Sequence, residues 1–382
     1  MRSKKRLLYT SVSILLSLYL SITTAQAQTK PWKRGIVTDE FVFDTASFPE
    51  SHASTIAETP AGLVIAWFGG TKERNPDVEI RVSRRVGGRW TAPVSVADGI
   101  QNDTLRYPTW NPVLYQVPGG ELLLFYKIGP SPSTWKGWIK SSKDGGVTWS
   151  AARALPEGFI GPVKNKPVLL GGNRLLAPSS KEGNGWRVHF EESDDFGQTW
   201  TMTGPVSGGK TFNAIQPSIL RYPGGRLQIL ARSQNRAILE SWSEDEGKTW
   251  SPLAKTGLPN NNSGTDAVTL KDGRQLLVYN HVLPPGKEAK GARTPLNVSV
   301  SRDGKQWYAS LILEDSPVSQ YSYPSVIQGS DGMVHVVYTW RRQKIKYVKI
   351  DPARLQMVEI KEGQWPVMAG YTAPKEAAVS ID

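Results

Sequence analysis

The chain has 382 residues, a formal net charge of +12 and no cysteine. That composition excludes disulfides, thiolate metal sites and a lipidated cysteine behind an export signal, so stability has to come from packing. A basic chain can meet nucleic acid, anionic lipid or an acidic glycan, but no Lys/Arg block interleaved with aromatics points to single-stranded nucleic acid.

In chain order, Arg2, Lys4, Lys5 and Arg6 precede an apolar run from Leu7 to Ile22 and the small-x-small stretch Ala25-Gln26-Ala27. This reads as a cleavable signal peptide over residues 1–27, with a periplasmic or extracellular destination. The run is broken by Ser and Thr and falls short of the roughly 20 apolar residues of a bilayer span, so no stable membrane insertion is expected after cleavage. Losing the four basic residues of a segment without acids takes the charge from +12 to +8. Residues 28–382 read as a single domain.

Within that domain one segment recurs. Ser142-Lys143-Asp144-Gly145-Gly146-Val147-Thr148-Trp149 returns at Ser193 to Trp200 and at Ser243 to Trp250, with degenerate copies at Ser301 to Trp307 and at Ser83 to Trp90, where Arg85 takes the Asp position. Each residue type suits a hairpin: the Asp accepts backbone N–H groups, the Gly takes a positive φ, and the Trp packs between sheets. The Asp residues are therefore read as structural, neither catalytic nor metal-binding. Successive Trp residues at 90, 149, 200, 250 and 307 are spaced by the length of a four-stranded blade.

Short strands fill the intervals, each after a Gly-bearing turn: Gly62 to Phe68, Glu121 to Tyr126, Arg174 to Ala177, Arg226 to Ala231, Arg274 to Tyr279 and Met333 to Thr339. Six such strands predict an all-β, six-bladed β-propeller with no useful helical periodicity. The sixth blade lacks a box and is expected to close the ring with a strand before residue 48. The stretch after Pro352 reads as a wrapping segment or a tail. No metal or cofactor is expected, because ligand-spaced His or acidic clusters, phosphate loops and dinucleotide fingerprints are all missing.

The boxes resemble those of the sialidase (neuraminidase) superfamily, and several phrases resemble its BNR-repeat proteins: Ser51-His52-Ala53-Ser54-Thr55, Trp67-Phe68-Gly69-Gly70-Thr71, Tyr107-Pro108-Thr109-Trp110-Asn111-Pro112, Lys164-Asn165-Lys166-Pro167, Ile215-Gln216-Pro217-Ser218, Asn262 to Ala267 and Tyr338-Thr339-Trp340-Arg341-Arg342. Together they cover about residues 48–350. The resemblance implies an exo-acting glycoside hydrolase whose partner is a glycan ending in an acidic sugar. Guanidiniums grip the sugar carboxylate, a tyrosine attacks where a carboxylate nucleophile would be repelled, and a separate acid moves protons.

On this chain the resemblance places Arg232 and Arg293 on the carboxylate, Tyr323 as nucleophile with Tyr321 as neighbouring competitor, and Asp77 as acid/base. Taken without it, these would be a surface arginine, a packing tyrosine and a turn-capping aspartate. Two positions depart from the pattern: His52 stands where the first-blade arginine is expected, and Gln216, which cannot take a proton, stands where a glutamate activates the tyrosine. The departures imply a smaller or differently placed acid, such as a uronate, with His52, Glu182 or Asp266 as base and His52 preferred. Lys166 is expected to replace the missing arginine, and Trp110 and Asn111 to line the axial mouth, Trp110 stacking on a sugar. Three other functions remain open: a uronate-directed lyase, a rhamnosidase-type enzyme and a glycan-binding propeller without catalysis.

Overall fold

The computed structural model describes residues 32–207, 209–368 and 371, so the signal-peptide reading lies outside the described residues. Six antiparallel sheets follow one another along the chain. Blade 1 runs through Glu50–Thr59, Gly62–Gly70, Glu79–Val86 and Arg89–Trp90, with Val94–Ala97 also paired to its third strand. Blade 2 is Thr109–Gln116, Leu122–Ile128, Lys136–Ser142 and Arg153–Ala154, and blade 3 is Val168–Leu169, Leu175–Lys181, Arg187–Ser193 and Thr201–Thr203. Blade 4 is Ala214–Arg221, Leu227–Ser233, Ala237–Ser243 and Ala254–Pro259. Blade 5 is Asp266–Thr269, Gln275–Tyr279, Leu296–Ser301 and Trp307–Glu314, extended by Val358–Glu359.

Blade 6 consists of Tyr321–Gln328, Val334–Trp340 and Lys344–Ile350, completed by Ile36–Phe41 from the start of the domain. This closes the ring as the sequence predicts and covers an edge that would otherwise offer unpaired backbone groups. All six sequence-predicted strands are second strands of blades. They were legible from the Gly-bearing turns before them, but they do not alternate between a buried and an exposed face: every residue of Leu122–Ile128 is buried, because both faces of the strand are covered.

The hairpin boxes are structural. Asp144 Oδ1 accepts from the backbone N–H of Val147 (3.0 Å) and of Thr148 (2.9 Å), while Ser142 Oγ accepts from Gly146 N at 2.8 Å. The Thr249 hydroxyl and amide, together with Ser243, hold the Asp245 carboxyl down at about 2. The box tryptophans join neighbouring blades: Trp250 stacks on Phe190 at 4.3 Å, and Trp200 meets Phe125 edge-on. Where Arg85 replaces the Asp, its guanidinium pairs with Glu40 of the closing strand and lies over Tyr347 at 5.0 Å, tying blade 1 to blade 6. The C-terminal segment wraps: Trp365 packs 5.1 Å from Trp32.

Candidate functional site at the axial mouth

Four inner strands share a local distortion near their first residues. The ladder register shifts between His52 and Thr55, Trp110 and Val113, Ile215 and Ser218, and Ser322 and Ser325. Inside these bulges Ala53, Asn111, Gln216 and Tyr323 take positive φ values of 55°, 28°, 56° and 52°. Pro112, Pro217 and Pro324 follow three of them, where the bulge needs no ladder donor. A bulky residue at positive φ is rare and costs about 1–3 kcal/mol, and such strain clusters at functional sites.

Tyr323 crosses from blade 6 to blade 4. Its phenolic oxygen accepts from Arg232 Nη1 at 2.7 Å and from Gln216 Nε2 at 3.4 Å, and its ring lies 4.2 Å from the His52 ring of blade 1. Arg293 and Lys164 also face the ring, at 5.8 and 5.9 Å from its centre. Arg232 is buried, and its hydrogen bonds go to neutral oxygens: Asn262 Oδ1 at 2.9 Å, Gln216 Oε1 at 3.3 Å and the phenol. Trp186 covers its guanidinium at 5.0 Å. The structure thus brings together Tyr323, Arg232, Arg293, Gln216 and His52.

Other expected residues have different roles. Trp110 is only 2% exposed, donates to the Gly129 carbonyl at 2.7 Å and packs against Trp135 and Phe68, so no face is free to stack on a sugar. The buried Asn111 offers its carbonyl to Lys127. Lys166 is committed to Asp266 at 2.8 Å, and that carboxylate, fully buried, also accepts from Ser218 Oγ and the amides of Ala267 and Val326. Lys166 therefore braces blades 3 to 6 and does not replace an arginine, and Asp266 is part of the same brace. Tyr321 is buried and accepts from Arg341 Nε at 3.1 Å, away from the Arg232 contact.

His52 is neutral. Burial first, then the charges of Arg342, Arg293, Arg232 and Lys164, hold its imidazole well below the usual histidine range. Thr339 Oγ1 accepts from Ala53 N at 3.2 Å and also makes a 2.9 Å hydrogen bond with His52 Nδ1. The residue preferred as base is thus a weak base, and its ring packs against Tyr323.

Two carboxyls remain. Asp77 Oδ2 accepts from Thr71 N at 2.7 Å and Thr71 Oγ1 at 2.6 Å, and although burial works the other way, these bonds hold its carboxyl below the usual range. Glu182, half-buried just past the end of Leu175–Lys181, is raised by burial against the pull of Arg232 and Arg74. A raised carboxyl is the kind that donates a proton near neutral pH.

Sequence reasoning missed Lys164 and Asn262. Lys164 donates to Asn165 Oδ1 (2.8 Å) and to the carbonyls of Thr265 (2.9 Å) and Pro324, and burial pushes its ammonium down to about 7. Nothing in Lys164-Asn165-Lys166 distinguishes the lysine at the tyrosine from the one in the brace. Two cavities of about 430 and 400 Å³ are lined by other residues, around Trp90 and Trp365. The site is therefore defined by converging side chains and not by cavity size. Among the described residues, no group of three or more His, Asp or Glu is arranged to hold a metal ion, and no helix is long and apolar enough to cross a membrane.

A six-bladed propeller with a tyrosine and several cations at its axial mouth is the class that fold and site define. The chain belongs to the BNR repeat-like domain family, which it matches over residues 61–336. No curated protein matches it. Among solved structures, a Dyadobacter fermentans protein of unknown function is 19% identical, with 84% of this chain and 99% of that one covered and a TM-score of 0.66. The sialidase NanB of Streptococcus pneumoniae is 13% identical, with 83% and 71% covered and a TM-score of 0.66. A Penicillium chrysogenum α-L-arabinanase complexed with arabinobiose is 16% identical, with 84% and 99% covered and a TM-score of 0.61. At these identities the likeness is one of fold.

Proposed function

We propose that this protein is an exo-acting glycoside hydrolase that removes a terminal acidic sugar from a glycan. The observation that carries the reading is the 2.7 Å hydrogen bond from Arg232 to the Tyr323 phenol, in a mouth where Arg293 and Lys164 also face that ring. Arg232 and Arg293 hold the sugar carboxylate, and Tyr323 Oη attacks the anomeric carbon as the bond to the leaving oxygen breaks, with the phenolic proton passing to water. A phenol suits that position because it does not carry the full charge with which a carboxylate would repel the substrate's own. Glu182 protonates the leaving oxygen and later activates water, with Asp77 as the competing assignment. Fold likeness to sialidases and to an arabinanase supports a glycan as substrate, and the departures at His52 and Gln216 favour an acid other than a standard sialoside.

The test is mass spectrometry of products from a panel of sialylated and uronate-capped oligosaccharides. Release of an intact acidic monosaccharide, lost in Tyr323→Phe and in Glu182→Gln, supports the assignment. A product lighter by one water moves the reaction to elimination, and binding without any product moves the protein to a non-catalytic glycan binder. Loss of turnover in Asp77→Asn but not in Glu182→Gln returns the acid/base role to Asp77.

A further inference from the structure

A further cation approaches the mouth from blade 6 and carries an acid from another blade. The turn after Val334–Trp340 holds Arg341 and Arg342 at φ of 50° and 62°, which folds Arg342 back toward blade 1, where its carbonyl accepts from Ser51 N at 2.6 Å. Arg342 Nε donates to Gln320 Oε1 at 3.1 Å, and that same oxygen accepts from Arg293 Nη1 at 3.3 Å and Ser322 Oγ at 2.9 Å. Arg342 is also the first among the charges that depress His52. Two guanidiniums therefore converge on one neutral oxygen beside the Tyr323 cluster.

Like charges so close repel unless an anion lies between them or beside them, and a carboxylate with two oxygens is the fitting bridge. Here the anion comes from the chain itself: Glu73 pairs with Arg342 Nη1. Glu73 belongs to the loop between Gly62–Gly70 and Glu79–Val86 that also carries Asp77, and its amide is anchored to Glu50 Oε2 at 3.1 Å. Glu182, just past the second strand of blade 3, lies within electrostatic reach of Arg74 and Glu73 of this loop. Both partners of the ion pair are partly accessible, with side chains 15% and 29% exposed, so a soluble anion can compete for Arg342.

We propose that Glu73 is an internal stand-in for the ligand's carboxylate: an acidic sugar displaces it from Arg342, and the exchange unlatches the loop that carries Asp77. The inference rests on the reading of the mouth as an acidic-sugar site. It makes Arg342 a specificity-determining residue, because a neutral sugar offers nothing to exchange for Glu73. The loop's freedom is then coupled to the charge of the ligand and not to its size.

The experiment measures calorimetric binding of N-acetylneuraminate, glucuronate and glucose to the wild-type protein, Glu73→Gln and Arg342→Gln. It adds the rate of tryptic cleavage after the exposed Lys72 and Arg74, with and without each sugar. Removing the competing carboxylate should tighten the acidic sugar about two- to fivefold, the worth of a partly exposed pair, without changing glucose. Arg342→Gln should weaken the acidic sugar about tenfold or more. In the wild type the acidic sugar should accelerate loop cleavage, and Glu73→Gln should be cleaved quickly without ligand. Wild-type binding of an acidic sugar with no gain in Glu73→Gln and an unchanged cleavage rate overturns the exchange alone. Failure of the wild type and Glu73→Gln to bind either acid overturns the acidic-sugar reading as well.

Discussion

Gln216→Glu is the most direct test of the missing base. The new carboxylate would stand 3.3 Å from Arg232 Nη1 and 3.4 Å from the Tyr323 phenol, at a position only 2% exposed. At an effective dielectric near 20, opposite unit charges 3.3 Å apart attract by ~5 kcal/mol, which offsets a burial penalty of several kcal/mol per ion. The Arg293 guanidinium, which faces the Tyr323 ring at 5.8 Å, tips the balance further toward the ionised form. A positioned general base contributes roughly 10²–10⁴-fold to rate, so kcat on an acidic glycoside should rise by at least about tenfold. Because the same carboxylate competes for Arg232, KM should rise too. The assay is steady-state release of the acidic monosaccharide, with thermal unfolding run alongside. A folded variant whose kcat falls or stays level would refute Tyr323 as a nucleophile limited by its missing base.

Asp266→Asn should destabilise the fold by about 3–5 kcal/mol, because it removes one partner of a buried ion pair and leaves Lys166 uncompensated. Calorimetry should show a fall in Tm of roughly 5 °C with the product pattern unchanged; a changed product with unchanged Tm would restore Asp266 as a catalytic base. His281 is lowered by burial to about 4, against the opposing pull of the Gly363 carbonyl. The unfolded chain therefore binds a proton that the native chain refuses between pH 6.5 and 4, and stability, complete above about 6.5, should fall on acidification by about 3 kcal/mol. Replacing His281 with Gln should flatten that slope in denaturant titrations.

The fold was legible because blade boundaries are written in local chemistry. An Asp that caps its own hairpin and a Trp that joins the next sheet need no distant partner to be recognised, and second strands are marked by the Gly-bearing turns before them. Inner strands were harder to see: Glu50–Thr59 is buried at eight of its ten positions, and the bulge breaks the period-2 alternation that marks a strand. Tyr323, Gln216 and His52 were found because the resemblance runs through these bulges. Arg342 was not assigned a role, since two left-handed residues in a turn aim it, and its partners Glu73 and Gln320 lie far off in sequence.

The bulges also bear on which residue can react. Positions 53, 111, 216 and 323 hold Ala, Asn, Gln and Tyr in similar left-handed conformations on blades 1, 2, 4 and 6. The tyrosine spans from the His52 ring to the Arg232 guanidinium. A strained Tyr323 is tolerable only if the surroundings fix it on several sides, and three blades do so: His52 on the ring from blade 1, Gln216 and Arg232 on the phenol from blade 4, and the Lys164 ammonium of the blade 3 entry on the carbonyl of Pro324. The phenol is thus set by ring closure and not by its own strand. Loosening the contact between Ile36–Phe41 and Lys344–Ile350 should therefore alter the tyrosine's position before it unfolds a blade.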